Sequence, residues 1–465
     1  MRKGVWVVGV VVALVAPLTA PAVDARPRVD RAAESYTTAP FAPTRNRATF
    51  GQDPTWTASG RVLSNEPDGA GVKQVFASDL DGGRRACLTC GQPGPNGFPE
   101  ERPQGDWILF CSWRGTAVTY GSPCLGGFGS DLYLMRPDGT HVSRLTAPGA
   151  SFQPRGRAFD NYHPAWSPDG TQVSWTHVSY GDGAHGGTRW TILLADLDLA
   201  HGAHLTNVRT IAPAGNTAYE TQSWAPDGSG LLYTSLAGVS ARSGWLNTEL
   251  LFLRLHGKGA TPEHPIVRQL TDDDPGWDEQ AVFTPDMRSV IFMSSRGTAT
   301  WYQTIVTAAR QLGYFPPQQN EVVGPMFVAT IADPRFRTDL YLLDLATGSI
   351  RRLTDLGGVI PEFTFDPSGT RVLWSEGNLR KRTFVGTFRF AGPPPPRVGT
   401  PVTPDPTWAG FVAPATPPIV AGPVANRPSS PLPAPVVRGA VVLRAQLREL
   451  ARRIADLPAG PACCR

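Results

Sequence analysis

The chain has 465 residues, 18% of them charged, and a formal net charge of only +4. That balance, with arginines scattered and not striped among aromatics, excludes a nucleic-acid binder driven by charge. Its 49 glycines and 46 prolines point to an all-β chain rich in turns, with some extended Pro-rich segments.

At the N-terminus, Arg2 and Lys3 precede an apolar run from Val5 to about Leu18. Val23 and Ala25 are small enough for the subsites of a signal peptidase, so residues 1–25 read as a cleaved export signal. The run is short for a bilayer span, and an uncleaved anchor is the competing reading. The mature protein is expected outside the cytoplasm: secreted, in the cell wall or periplasmic. Residues 26–45 are expected to be a disordered leader to the first domain.

From residue 46 to 392 the sequence repeats. "HPAWSPDGTQVSW" (His163–Trp175) is matched by "TQSWAPDGSGLLY" (Thr221–Tyr233), "QAVFTPDMRSVIF" (Gln280–Phe292) and "EFTFDPSGTRVLW" (Glu362–Trp374). A degraded copy, "FPEERPQGDWILF", spans Phe98–Phe110. Each reads as strand, Pro-centred turn, strand. Pro has its φ set for the early corner, and Gly tolerates the positive φ that follows. Met287 replaces that Gly in one copy, so its turn is expected to differ.

A second unit alternates with the first: "QVFASDLDGGRRACLTC" (Gln74–Cys90), "DLYLMRPDGTHVSRLT" (Asp131–Thr146) and "DLYLLDLATGSIRRLT" (Asp339–Thr354), with looser versions between. Two hairpins in sequence make a four-stranded antiparallel sheet, and radial repetition of such sheets makes a β-propeller. These motifs resemble the WD40-like (PD40) repeat of the TolB-type β-propeller family, over roughly Arg61 to Ala391. The resemblance implies a protein-interaction role in the cell envelope and carries over no binding residues.

The Pro markers at 103, 168, 226, 285 and 367, with an earlier unit containing "GRVLS", give six blades, seven being the alternative. Pro67-Asp68-Gly69 reads as a loop in the first unit. The last unit has three evident strands, so ring closure is expected to draw a fourth from Arg47–Ala58. Within hairpins the turns are tight, whereas the connections Arg114–Ser130, Val178–Thr188, Leu236–Asn247 and Arg296–Thr338 are long. In an antiparallel blade these emerge on one face, the expected binding face.

The innermost strands begin at that face. Aligned on the Pro, Tyr162, His163, Glu220, Asp278, Glu279 and Glu362 are expected at the channel mouth. His163, Glu220 and Glu279 are candidate ligands for a divalent cation, against the plainer reading of a hydrated polar channel. Asp272-Asp273-Asp274 reads as a solvated turn or a calcium contributor. In the long insertion, Trp301, Ile305, Ala308, Ala309 and Leu312 have helical spacing, giving a lid or a plug.

Cys87, Cys90, Cys111 and Cys124 map to one neighbourhood. In an exported protein they read as disulfide candidates with open connectivity, Cys87–Cys90 and Cys111–Cys124 being the local choice. A four-cysteine zinc site is the alternative, and a redox-active C-x-x-C is the weaker one, since no thioredoxin-like βαβ pattern surrounds it. Residues 393–437 are a Pro-rich linker, 438–457 an amphipathic helix and 458–465 a tail. The helix carries Leu443, Leu447, Leu450, Ile454 and Leu457 beside four arginines, suiting self-association, a membrane surface or the propeller itself.

No G-x-S-x-G occurs, so a serine hydrolase of the α/β type is not expected. Two functions remain. One is a non-catalytic binding module for an envelope protein, peptide or glycan. The other is an enzyme working at the channel mouth, a metal-assisted lyase or hydrolase. No organic cofactor and no nucleic-acid partner is expected under either.

Overall fold

A computed structural model of the chain describes residues 36–38, 42–43, 52–80, 82–114, 129–146, 159–179, 189–211, 219–235, 248–257, 259–271, 277–296, 337–354, 362–365, 371–376 and 382–390. All the regular structure among them is β. Two short strands, β1 (Tyr36–Thr38) and β2 (Ala42–Pro43), precede the first blade. Blade one comprises β3 (Gln52–Trp56), β4 (Val62–Pro67), β5 (Lys73–Ser78) and β6 (Ala86–Cys87). Blade two comprises β7 (Asn96–Glu101), β8 (Ile108–Ser112), β9 (Asp131–Met135) and β10 (Ser143–Arg144). Blade three has β11 (Phe159–Trp166), β12 (Gln172–Ser179), β13 (Arg189–Asp198) and β14 (His204–Thr210). Blade four has β15 (Tyr219–Trp224), β16 (Gly230–Ser235), β17 (Glu249–Arg254) and β18 (Ile266–Gln269). Blade five has β19 (Asp278–Phe283), β20 (Ser289–Ser294), β21 (Asp339–Asp344) and β22 (Ile350–Arg352). A final sheet holds β23 (Glu362–Phe365), β24 (Arg371–Glu376) and β25 (Arg382–Phe390).

The molecule is an all-β propeller of four-stranded antiparallel blades, but the expected six uniform blades are corrected to five. The remaining sheet is composite and five-stranded: β1 and β2 both pair with β25. Closure therefore comes from Tyr36–Thr38, upstream of residue 46 and not within Arg47–Ala58, which supplies β3 instead. The residues called a disordered leader thus contribute two strands. The long connections, the Asp272–Asp274 run, the insertion helix, Cys124, the export signal, the linker and the C-terminal helix lie outside the described residues. Among the described residues, no helix is long and apolar enough to cross a membrane.

Period two explains the packing. Along β9, Leu132 and Leu134 enter a cluster with Trp166, Val173, Trp175 and Leu193 of blade three. Tyr133 and Met135 point the other way, to Leu63 and Val75 of blade one. Both faces of a blade are thus buried, each against a different neighbour, and the strands read as nearly continuous apolar runs. The ring closes where Trp56 and Val62 meet Leu373 of the final sheet. Burying one such leucine contributes roughly 1.5–3 kcal/mol.

The "LT" that ends the second repeat unit has the same role in blades one, two, four and five. Thr146 Oγ1 accepts from the Leu132 backbone N–H at 2.9 Å and donates to Asp131 Oδ1 at 2.7 Å. Thr354 does the same for Leu340 and Asp339, and Thr271 for Leu250 and Glu249. Thr89 repeats it on Val75 and Gln74. Each threonine ties the blade's edge back to the start of its third strand.

The turns largely match their sequence. Gly170 N–H donates to Ser167 O at 2.8 Å with φ +67°. Met287 makes the same bond to Thr284 O at 2.8 Å with φ +57°, so the expected difference is absent. The methionine takes the left-handed conformation because its side chain is buried, 7% exposed, in the core between blades four and five. Pro67-Asp68-Gly69 is a tight link between β4 and β5, with Gly71 N–H bonded to Asp68 O.

Candidate functional site

Each innermost strand starts at the face bearing the long connections and leaves by a tight turn, so its first residues sit at one mouth of the axial channel. In β3, β7, β11, β15 and β19 the pairing slips near the start, between Gln52/Thr55, Gly97/Glu100, Tyr162/Ala165, Thr221/Trp224 and Glu279/Val282. At four of these slips the backbone is left-handed: φ +48° at Asp53, +51° at Phe98, +48° at His163 and +51° at Gln280. Three of the four precede a proline, a context that ordinarily forces an extended conformation. Such residues cost roughly 1–3 kcal/mol each. A bulge re-aims a side chain, and here the result is a cavity on the axis of about 110 Å³. Asp53, Phe98, His163, Thr221, Gln280 and Glu362 line it, one from each sheet.

His163 is placed in this lining as expected. Its ring lies 4.8 Å from that of Phe98 and 4.9 Å, edge-on, from that of Tyr162. Glu362 also lines the cavity, its Oε1 accepting from Gln280 Nε2 at 2.9 Å. One residue upstream of the lining, Tyr162 OH donates to Glu220 Oε1 at 2.9 Å, and Trp277 Nε1 donates to Glu279 Oε2 at 2.6 Å. Burial pushes the Glu279 carboxyl well above the usual carboxylate range, and the charge and hydrogen bond of Glu220, then the charge of Glu362, add to the rise. The Glu279 carboxyl is thereby biased towards its neutral form beside Glu220.

Asp278 departs from the expectation. Strand alternation puts it on the opposite side of β19 from Glu279, fully buried, with Oδ2 accepting from Arg296 Nη2 at 2.7 Å. It is part of the blade and does not line the cavity. Among the described residues, no group of three or more His, Cys, Asp or Glu is placed to hold a metal ion.

Three features escaped the sequence reading. Glu100, half-buried at the cavity wall, has its carboxyl pushed up to about 8 by burial, partly offset by a hydrogen bond from the Trp166 backbone. Lys73, 5% exposed, lies 3.6 Å from Asp53 Oδ2 and 5.0 Å over the Phe98 ring. His177 is a second imidazole near the mouth, bonded through Nδ1 to Asn161 Oδ1 at 2.8 Å, and burial lowers it to about 4. A usable signal existed for the first, and for the Asp53 that Lys73 faces: Asp53-Pro54-x-Trp56 and Phe98-Pro99-x-Glu101 are spaced like His163-Pro164-x-Trp166.

Of the cysteines, Cys87 and Cys90 form a disulfide, with Cα atoms 5.5 Å apart. That removes the four-cysteine zinc arrangement. Cys111 is a free thiol buried in the core between blades two and three, where burial pushes its pKa far up. The expected bridge from Cys111 to Cys124 is therefore corrected: this thiol faces Leu109, Trp113 and the neighbouring blade.

No family model matches the sequence, and no curated protein matches it. Solved structures similar to the chain include TolB from Acinetobacter baumannii, at 16% identity over 71% of this chain, with a TM-score of 0.43. The chain spans 64% of that protein's length. A puromycin-hydrolyzing peptidase of Mycobacterium tuberculosis is similar at 16% identity over 75% of this chain and 47% of that one (TM-score 0.42). A gluconolactonase from Xanthomonas campestris is similar at 12% identity over 75% and 89% (TM-score 0.45). TolB proteins and peptidases thus both stand among the structural neighbours of this propeller.

Proposed function

We propose that the protein is an exported binding module whose partner rests on the face with the long connections and inserts one side chain into the axial cavity. The observation that carries this reading is the cavity itself. At about 110 Å³ it is far below the several hundred Å³ typical of small-molecule pockets. It suits a single side chain, so the rest of the ligand must lie outside, as a peptide or a protein partner does. Acceptors in the lining and just upstream of it are already oriented, Glu362 by Gln280 and Glu220 by Tyr162, which favours a donor-bearing or basic group. An envelope protein or peptide fits better than a glycan on this ground.

The test is calorimetric titration with two otherwise identical peptides, one carrying a central lysine and one a central glutamate. The lysine peptide is expected to bind, unchanged by mass spectrometry afterwards, and Glu362→Gln to weaken it about tenfold, the loss of one charge-assisted hydrogen bond. Equal binding of both peptides would sink the reading.

A second reading, an enzyme at the mouth, draws on the raised carboxyl of Glu279 beside Glu220 and on the high proton affinity of Glu100. Carboxyls of unequal affinity are what acid–base chemistry uses. Product formation abolished by Glu220→Gln would select it.

A further inference from the structure

We propose that the Cys87–Cys90 disulfide is a thiol-exchange site, a latch on blade one that a low-molecular-weight thiol opens in the folded protein. The comparison among blades carries the inference. In blades two and five the edge threonine is backed by an ion pair: Arg144 with Asp131, and Arg352 with Asp339 at the same positions. Aligned on the threonine, blade one has Gln74 in place of the aspartate and Cys87 in place of the arginine. No charge pair is available at those positions. A disulfide from Cys87 to Cys90 brackets Leu88 and Thr89 instead. The strand it secures, β6, has only two residues, Ala86 and Cys87, paired with Ala77 and Phe76.

The bond is within reach of solvent. Cys90 is exposed and Cys87 half-buried, whereas Thr89 between them is fully buried. What the bond secures also reaches beyond its own blade. Gln74 Oε1 accepts from both Thr89 Oγ1 at 2.6 Å and Asn96 Nδ2 at 2.8 Å, at the start of β7. Asn96 Oδ1 accepts from Arg114 Nη2 at 3.2 Å, and Arg114 also binds Gln92 and Ser112. The latch therefore links blade one to the first residue of blade two's innermost strand, and to the residue that opens its long connection.

The chemistry is ordinary exchange. A thiolate attacks the exposed Cys90 sulfur, forming a mixed disulfide while Cys87 leaves as a thiolate and takes a proton from water. A second thiolate attacks the mixed disulfide at the small thiol's sulfur, releasing the Cys90 thiolate and a symmetrical disulfide. Two electrons pass from two small thiols to the protein.

The probe is glutathione, added in excess to the native full-length chain, followed by iodoacetamide and peptide mapping. Alkylation is expected at Cys87 and Cys90 and not at the buried Cys111. Hydrogen exchange at Val75, Asn96 and Ser112 is expected to rise about tenfold or more on reduction. The combined variant Gln74→Asp, Cys87→Arg, Cys90→Ser restores the ion-pair arrangement of the other blades, and its exchange is expected to ignore glutathione. Should that variant not fold, Cys87→Ser with Cys90→Ser must show the raised exchange without any thiol. A disulfide that glutathione reduces only after denaturation overturns the proposal. Reduction without change in exchange overturns it equally. These readouts involve no ligand, so they stand apart from the binding proposal.

Discussion

Replacing Glu100 by Gln isolates one titration in the channel wall. Burial holds the Glu100 carboxyl at about 8, against an ordinary value of 4.5. The folded protein therefore binds this proton more tightly than the unfolded chain does. Its stabilising effect is fully present below pH 4.5 and declines as pH rises towards 8. At about 1.4 kcal/mol per unit, the whole shift corresponds to at most about 5 kcal/mol. Because Glu100 is only half-buried and borders a cavity open to solvent, a loss of about 2 kcal/mol is the better figure. Gln copies the neutral acid, keeps an oxygen for the Trp166 N–H and does not titrate. Urea midpoints at pH 5, 6, 7 and 8 read the difference directly. Glu100→Gln is expected to match the parent at pH 5 and to exceed it by about 2 kcal/mol at pH 8. Glu279 titrates upward in both proteins and cancels. Parallel profiles would refute the assignment of a buried proton to Glu100.

His177 works in the opposite sense. Its folded value of about 4 lies below the ordinary 6.5, so its stabilising effect is present above pH 6.5 and is lost as pH falls through 4. His177→Gln should flatten the acid limb by about 2–3 kcal/mol, read by urea midpoints between pH 7 and 4. At Met287 the usual ranking inverts: both small replacements lose a buried side chain, but Gly also relieves the positive φ. Met287→Gly should be about 1 kcal/mol more stable than Met287→Ala, checked by thermal melts. At Gly230 a Cβ would lie 2.1 Å from Leu253 O, so Gly230→Ala should cost about 3 kcal/mol or prevent folding, measured as soluble yield and melting temperature. Thr146→Ala strands the Leu132 N–H and should cost about 2 kcal/mol, by the same melts.

The architecture was legible because each blade's chemistry is local. A Pro-centred turn marks most of the inner hairpins, and a polar residue at the start of the third strand with a threonine at the blade's edge marks four of the outer ones. Both signals lie within one repeat, so five blades were found at their true positions. Closure was not legible for the opposite reason. The contact of Tyr36–Thr38 with β25 spans almost the whole propeller and leaves no motif at either end. The nearer segment around Gln52–Trp56, with its own strand character, competed for the role and proved to be the innermost strand of blade one.

The site was half legible, and the bulge explains which half. Reading upstream from the Pro-turn finds the mouth, because every innermost strand starts there. It cannot tell which of two adjacent residues faces the axis. In an unbroken strand, alternation would give Asp278 and Gln280 the same side and Glu279 the other. The slip between Glu279 and Val282, with Gln280 left-handed, breaks that parity. Gln280 then lines the cavity, Glu279 lies beside Glu220, and Asp278 pairs with Arg296. The recurrence of the same slip in five strands means that the channel lining is built by a repeated departure from regular pairing. Side chains at these slips are therefore set by the backbone and not by neighbouring bulk. It follows that exchanging Thr221 or Gln280 for a residue of similar size should alter what the cavity accepts while leaving the blades intact.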